Sequence, residues 1–118
     1  MNLHTLGLNH DSAPVEVREK IAFSPSSVPI ALSSFAQSFP SSEIVILSTC
    51  NRVEIYATSP DDSLDKETLL DFFSAFHGLP KEEFANHMYH HQGINAVRHL
   101  FFVASSLNSG VLGETRSE

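Results

Sequence analysis

Two strand-like runs, Ile44-Val45-Ile46-Leu47 and Val53-Glu54-Ile55-Tyr56-Ala57-Thr58, are separated only by Ser48-Thr49-Cys50-Asn51-Arg52. A connection that short cannot carry a crossover, so the two runs must be sheet neighbours joined through a turn. The chain therefore contains a sheet, and the turn at one end of it carries the only cysteine. On this reading Ile44 to Leu47 is a buried strand, and Thr49 to Arg52 is exposed.

The rest of the chain supplies partners for that hairpin. Leu3 to Asn9 reads as a first strand with His10 at its exit, and Ser12-Ala13-Pro14 opens a short helical stretch through Ile21. Ser27 is an N-cap ahead of Pro29, and Val28, Leu32, Phe35, Ala36 and Phe39 recur at helical spacing up to Pro40. After a loop at Ser59-Pro60-Asp61-Asp62, the residues Leu69, Phe72, Phe73 and Phe76 form one stripe of a helix stopped by Gly78 and Pro80. These aromatics belong to the core rather than to a cofactor box. Lys81 to Asn86 reads as a short helix, and His87 to His91 as a last strand. Ile94 to Leu107 reads as a third helix with Val97, Leu100, Phe101 and Ala104 facing inward and His99 beside that stripe. Beyond Leu107 the Ser- and Gly-rich sequence predicts an irregular segment. The order strand, helix, strand, strand, helix, strand predicts an α+β fold. The expected form is a ferredoxin-like sandwich, a βαββαβ antiparallel sheet with helices on one face, followed by an additional helix.

With 118 residues, 42% of them hydrophobic, the chain can bury one small core and not two. A single cysteine excludes an intrachain disulfide, and neither an apolar leader nor a long apolar span suggests secretion or a membrane, so a reducing cytoplasm is expected. A net charge of -7 argues against DNA and against non-specific nucleic-acid binding, which depends on neutralising phosphates. No G-x-G-x-x-G follows a strand, and Gly110-Val111-Leu112-Gly113 lacks the spacing that cradles a pyrophosphate. The His87-x-Tyr89-His90-His91 cluster invites a metal, but strand neighbours point to opposite faces and no cysteine or close carboxylate completes a site. Solvated or cross-strand packing histidines are expected there, with no metal. Asp61, Asp62, Asp65 and Glu67 gather near a helix start, where they favour its dipole.

Cys50 is the candidate nucleophile. A turn at a strand end holds a reactive group toward solvent, and Arg52 two residues on favours the thiolate. The alternative is a free cysteine acting as a small, inert, buried hydrophobe.

Five segments carry a more specific signal: Gly7-Leu8-Asn9-His10, Ala13-Pro14-Val15-Glu16-Val17-Arg18-Glu19, Leu47 through Tyr56, His99-Leu100 with Val103-Ala104-Ser105, and Val111-Leu112-Gly113-Glu114. In this order and spacing, across nearly the whole chain, they resemble glutamyl-tRNA reductases. The resemblance implies an NADPH-dependent oxidoreductase that forms glutamate-1-semialdehyde from glutamyl-tRNA at the entry to tetrapyrrole (porphyrin and haem) biosynthesis. It implies that residues 1–118 are the N-terminal catalytic, glutamyl-tRNA-binding domain. NADPH-binding and dimerisation domains would lie outside this chain, the whole enzyme would be a homodimer, and glutamate-1-semialdehyde aminomutase is a candidate product acceptor. The acidic balance fits if this domain grips mainly the aminoacylated end and other domains contact most of the tRNA body.

By the same resemblance Cys50 forms a thioester that accepts a hydride. Arg52 offers a planar fork to the glutamate carboxylate, with an arginine merely paired to Glu54 as the ordinary alternative. Thr49 and Asn51 would donate to the oxyanion or meet the substrate amine; as plain turn residues they would hydrogen-bond their own backbone. His99 would assist the leaving group or orient substrate. Ser109 and Glu114 would line the substrate pocket, as would Thr115 and Arg116, although there the sequence departs from the family's Pro-Gln-Ile or Thr-Gln-Ile. Two other classes stay open: a ferredoxin-like binding or regulatory module with an inert Cys50, and a thiol redox sensor, for which no resolving cysteine is present.

Overall fold

The hairpin that the short connection dictates is formed by β2 (Glu43–Ser48) and β3 (Arg52–Thr58), closed by the Thr49 amide donating to the Arg52 carbonyl at 2.8 Å. The structure is a computed structural model that describes residues 2–112, and side chains for residues 2–107. β1 (Leu3–Asn9) pairs with β3 along its whole length, from Leu3 opposite Thr58 to Asn9 opposite Arg52. On its other edge β1 meets β4 (Tyr89–Gln92), from His4 opposite Gln92 to Gly7 opposite Tyr89. The strand order is β2-β3-β1-β4, and every pairing is antiparallel.

Three helices cover one face: α1 (Val15–Ile21), α2 (Val28–Ser38) and α3 (Lys66–His77). Their ends follow local chemistry. Asp65 caps α3 by accepting from the Thr68 amide at 2.8 Å, and Gly78 ends it in the left-handed conformation with φ 66°. Ser27 occupies the N-cap position of α2 but makes no cap bond, because its hydroxyl donates to the Ser24 carbonyl instead. Period-two alternation sends Leu6, Leu8, Val53, Ile55 and Ala57 to this face, where they meet Ile21, Phe35, Leu69, Phe73 and Phe84. A phenylalanine buried there contributes about 1.5–3 kcal/mol from apolar area alone. In α2 the buried residues are Ala31 and Phe35, whereas Ala36, expected on the inner stripe, is exposed.

Two 3₁₀ turns at Lys81–Glu83 and Ala85–His87 lead into β4, so His87, expected in the last strand, precedes it. The final helix, α4 (Ile94–Leu112), packs on the opposite face of the sheet, where Ala96 meets Leu3 and Tyr56. Its inward side is Ala96, His99 and Val103, not the expected Leu100, Phe101 and Ala104; Phe101 is 70% exposed. The sheet explains the rotation. The floor under α4 is polar, built from Thr5, Glu54, Tyr56 and Tyr89, so the helix presents its small and polar side rather than its most apolar one. Nor does α4 end near Leu107. Serines do not break a helix when their hydroxyls bond back within it, as Ser106 does to the Phe102 carbonyl at 3.0 Å.

β2 is likewise not the buried strand expected of an apolar run. It is one of the two edge strands of the sheet, and Val45 on it is 63% exposed. No described helix is long and apolar enough to cross a membrane.

Candidate active site

The turn that carries Cys50 is shaped by Thr49. Its Oγ1 accepts from the amides of both Asn51 and Arg52 at 3.2 Å, and this double acceptance holds the chain in a tight bend. Ser48 anchors the entry to the bend, its Oγ accepting from the Phe23 amide at 3.0 Å. Cys50 and Asn51 are thereby left exposed at the tip. The thiol is not a buried core hydrophobe.

Arg52 departs from expectation: it is buried, at 8% exposure. As the first residue of β3 it points to the face under α4, where Nη1 donates to Glu54 Oε2 at 3.2 Å. Glu54 is fully buried and is the hub of that face. Its Oε2 also accepts from the Tyr89 hydroxyl at 2.5 Å and from His99 Nε2 at 2.6 Å, while Oε1 accepts from the Tyr56 hydroxyl at 2.7 Å. Both tyrosines of the chain thus converge on one carboxylate.

Register makes this convergence possible. Gly7 of β1 lies directly opposite Glu54 on one side and Tyr89 on the other. With no side chain on Gly7, the Glu54 and Tyr89 side chains meet above the middle strand. A Cβ at Gly7 would stand 2.4 Å from the Val53 carbonyl oxygen and 2.7 Å from Glu54 Cγ. The next row along, Tyr56–Thr5–His91, completes the floor. His91 sits with its ring 4.7 Å from that of His99. Thr5 Oγ1 is buried there without a hydrogen-bond partner among the described residues.

Burial alone would push the Glu54 carboxyl up, but hydrogen bonds from Tyr89, His99 and Tyr56, together with the His99 charge, outweigh it and hold Glu54 below the usual carboxylate range. The same carboxylate acts in reverse on its donors: burial first, then the bond to Glu54 and its charge, raise both tyrosines far above an ordinary phenol. Burial, reinforced by the neighbouring His99, lowers His91. The cluster therefore holds an ionised carboxylate facing an imidazole, both tyrosines being neutral donors at physiological pH. Such a pair can orient an imidazole.

The other candidates fall in different places. The Thr49 side chain is occupied by its own turn, as the plain-turn reading has it. His99 lies in the cluster. Ser109 falls within α4, but its side chain lies outside the described residues, as do Glu114, Thr115 and Arg116 altogether. The histidines of the 87–91 segment disperse: His87 bonds the Ser12 carbonyl at 3.2 Å, and His90 stacks on His4 across the helical face with a 3.0 Å nitrogen-to-nitrogen contact. Among the described residues no group of three His, Cys, Asp or Glu side chains is placed to hold a metal.

Sequence reasoning missed Glu54, Tyr56, Tyr89, His91 and Gly7 as parts of one site. The available signal was Arg52-x-Glu54-x-Tyr56, three polar residues at strand spacing on a run whose alternate positions are apolar. It marks a second face that is covered rather than solvated, once β3 is known to be central.

A family model described as glutamyl-tRNAGlu reductase, N-terminal domain, matches residues 6–116. Glutamyl-tRNA reductases of Pseudoalteromonas translucida (strain TAC 125) and Geobacter sulfurreducens are each 45% identical over 114 residues, which is 97% of this chain and 27% and 26% of theirs. Among solved structures, glutamyl-tRNA reductase from Methanopyrus kandleri superposes with a TM-score of 0.66 at 36% identity, covering 95% of this chain and 24% of that one. The small α+β arrangement of a four-stranded antiparallel sheet with helices is thus shared with that protein. The chain spans about a quarter of the length of the curated relatives it matches.

Proposed function

Because this chain belongs to the glutamyl-tRNA reductase family and matches its N-terminal domain, we propose that it performs the acyl-transfer half of that enzyme's reaction. The Cys50 thiolate attacks the ester carbonyl of glutamyl-tRNA. A carbon–sulfur bond forms, the bond to the terminal ribose oxygen breaks, and that oxygen leaves with a proton. The product is a glutamyl thioester on Cys50, the species whose reduction gives glutamate-1-semialdehyde for porphyrin biosynthesis. A thiolate suits this step because the aminoacyl ester is already activated.

The observation that carries the proposal is the exposed Cys50 only two residues ahead of Arg52, which enters the Glu54–His99 cluster. The nucleophile and the Arg52–Glu54 pair thus stem from one turn and the strand that follows it, and α4 brings His99 to Glu54. Arg52 spends Nη1 on Glu54, and its other guanidinium nitrogens, which make no hydrogen bond among the described residues, would take the glutamate side-chain carboxylate. Exposed Asn51 would meet the developing oxyanion or the substrate amine through its side-chain amide, the Asn51 and Arg52 backbone amides being spent on Thr49 Oγ1. Ser109, Glu114, Thr115 and Arg116 complete the substrate pocket in this reading.

NADPH belongs to a part of the enzyme outside these residues. Among the described residues no glycine-rich turn links a strand to a helix in a phosphate-binding pattern. The strand order β4-β1-β3-β2 with split helical crossovers supports reading the fold as ferredoxin-like, with α4 as the addition on the second face. We place the enzyme in the cytoplasm as a homodimer that takes glutamyl-tRNA and passes its aldehyde to an aminomutase.

The test is release of glutamate from glutamyl-tRNA without NADPH, comparing the chain with Cys50→Ser and trapping any adduct in acid for mass analysis. Cys50-dependent release with a glutamyl adduct on that residue supports the proposal. A folded chain that shows neither leaves the non-catalytic binding module as the better reading.

A further inference from the structure

Two features of the cluster are unexplained by a role for His99 alone: both tyrosines of the chain are spent on one buried carboxylate, and that carboxylate spends its Oε2 on Nε2 of His99. A buried glutamate paired to a single arginine would already be neutralised. The extra donors fix where its oxygens point.

We propose that Tyr56 and Tyr89 are positioning residues for proton transfer: through Glu54 they hold the His99 imidazole with its proton on Nε2, leaving Nδ1 as the nitrogen that exchanges a proton with the substrate. This rests on the acyl-transfer reading above. The tautomer follows from the donor count. Tyr56 and Tyr89 hydroxyls and the Arg52 guanidinium all donate to Glu54, which carries no proton, so the 2.6 Å contact requires the imidazole to donate as well. Nδ1 of His99 makes no hydrogen bond among the described residues. In acyl transfer the proton lost by the Cys50 thiol reaches the departing ribose oxygen through Nδ1, and the Glu54 charge stabilises the imidazolium in between.

The groups that face His99 are few. β3 brings Arg52, Glu54 and Tyr56, and β4 brings Tyr89 and His91, whose rings lie 5.1 and 4.7 Å from that of His99. β1 contributes Leu3, Thr5, Gly7 and Asn9 on this face, none of them titratable. Removing the tyrosine hydroxyls therefore removes the constraint without adding a competing charge, and the phenyl rings keep the packing.

The experiment uses the ¹⁵N-histidine-labelled chain, with the His99 ring signals assigned through His99→Gln. The tautomer is read in the wild type, Tyr56→Phe, Tyr89→Phe, the double variant, and Glu54→Gln as a second route to the same loss. In parallel, kcat and KM are measured for Cys50-dependent release of glutamate from glutamyl-tRNA. The expected result is a single Nε2–H tautomer in the wild type and a mixture in the double variant and in Glu54→Gln. The double variant should also lose about tenfold or more in kcat at unchanged KM, a fraction of the roughly 10²–10⁴-fold typical of general acid–base catalysis. An unchanged Nε2–H tautomer in both the double variant and Glu54→Gln overturns the proposal, as does a mixed tautomer with unaltered kcat. If the wild type releases no glutamate through Cys50, the acyl-transfer reading fails by itself, and with it the assignment of Nδ1 to substrate. The tautomer measurement then still decides whether the tyrosines position His99.

Discussion

Replacing Gly7 with alanine tests the architecture at its narrowest point. The new methyl carbon would lie 2.4 Å from the Val53 carbonyl oxygen, 2.7 Å from Glu54 Cγ and 2.8 Å from Glu54 Cα. Two of these three atoms are backbone of the neighbouring strand, so no rotamer change relieves the overlap and β1 must move away from β3. Overpacking in a close-packed interior costs about 1–3 kcal/mol, and a backbone obstruction puts Gly7→Ala at the upper end, near 3 kcal/mol. That is a large share of the roughly 5–15 kcal/mol that holds a domain folded. With a urea dependence of about 1.5 kcal/mol per molar, the unfolding midpoint should fall by about 2 M. Far-UV circular dichroism follows the fold, and tyrosine absorbance follows the cluster, since Tyr56 and Tyr89 are the only tyrosines. Gly78→Ala is the control: a Cβ there meets nothing within 4 Å but must adopt φ +66°, at a cost of about 1–2 kcal/mol. A Gly7→Ala midpoint no lower than that of Gly78→Ala would refute the claim that β3 approaches β1 too closely at this point to admit a side chain. Because the Val53 oxygen is backbone, truncating Glu54 as well should not rescue the variant.

Glu54→Ala strands an arginine, two hydroxyls and an imidazole under α4 and should cost about 3–5 kcal/mol in the same titration, far more than an ordinary strand-surface substitution. Cys50→Ser, by contrast, changes an exposed turn tip, so its midpoint should stay within about 0.5 kcal/mol of the wild type while acyl transfer is lost; a large destabilisation would place the thiol in the core. Stability should also depend on pH through His4, His90 and His91. Burial comes first in lowering each of them below the ordinary imidazole value, aided at His90 by His4 and at His91 by His99. The unfolded chain therefore binds protons that the folded chain refuses. Their contribution is fully present above the unfolded value near 6.5 and is lost as the pH falls through the lower folded values. Thermal unfolding should show a midpoint that drops between neutral and mildly acidic pH, with a smaller drop in His4→Gln; a midpoint that rises on acidification would contradict the burial argument.

The elements were legible wherever local chemistry decides them. Pro29, Asp65 and Gly78 mark helix ends, and the Ser48–Arg52 connection fixes a hairpin. What could not be read is decided by neighbours distant in sequence. The run at Ile44 to Leu47 has the composition of an interior strand, yet it lies at the sheet edge because β1 pairs with β3 and not with β2. The face of α4 was misread because hydrophobic periodicity assumes an apolar floor, and this floor holds Glu54, Tyr56 and Tyr89. Arg52 was expected in solvent for the same reason: its burial depends on a helix more than forty residues further on. Of the site, Cys50 stands out in the sequence because it is solitary, and His99 emerged only through resemblance. Gly7, whose role is an absent side chain, leaves no mark until the register is known.

The central place of β1 also sets the order in which the protein can be made. Among the four strands of the sheet β1 is made before the others and has both of its partners downstream, at residues 52–58 and 89–92. The β2–β3 hairpin can close locally, but a continuous sheet must wait until Gln92 has been synthesised, and Glu54 loses its contact with water only when α4 follows. Loop closures of that span make for slow folding. Until Thr58 has been synthesised, the strand Leu3 to Asn9 has no sheet partner. A chain halted before α4 would present an ionised carboxylate and two unburied tyrosines on an open sheet, which makes this last helix the element that a chaperone would have to wait for.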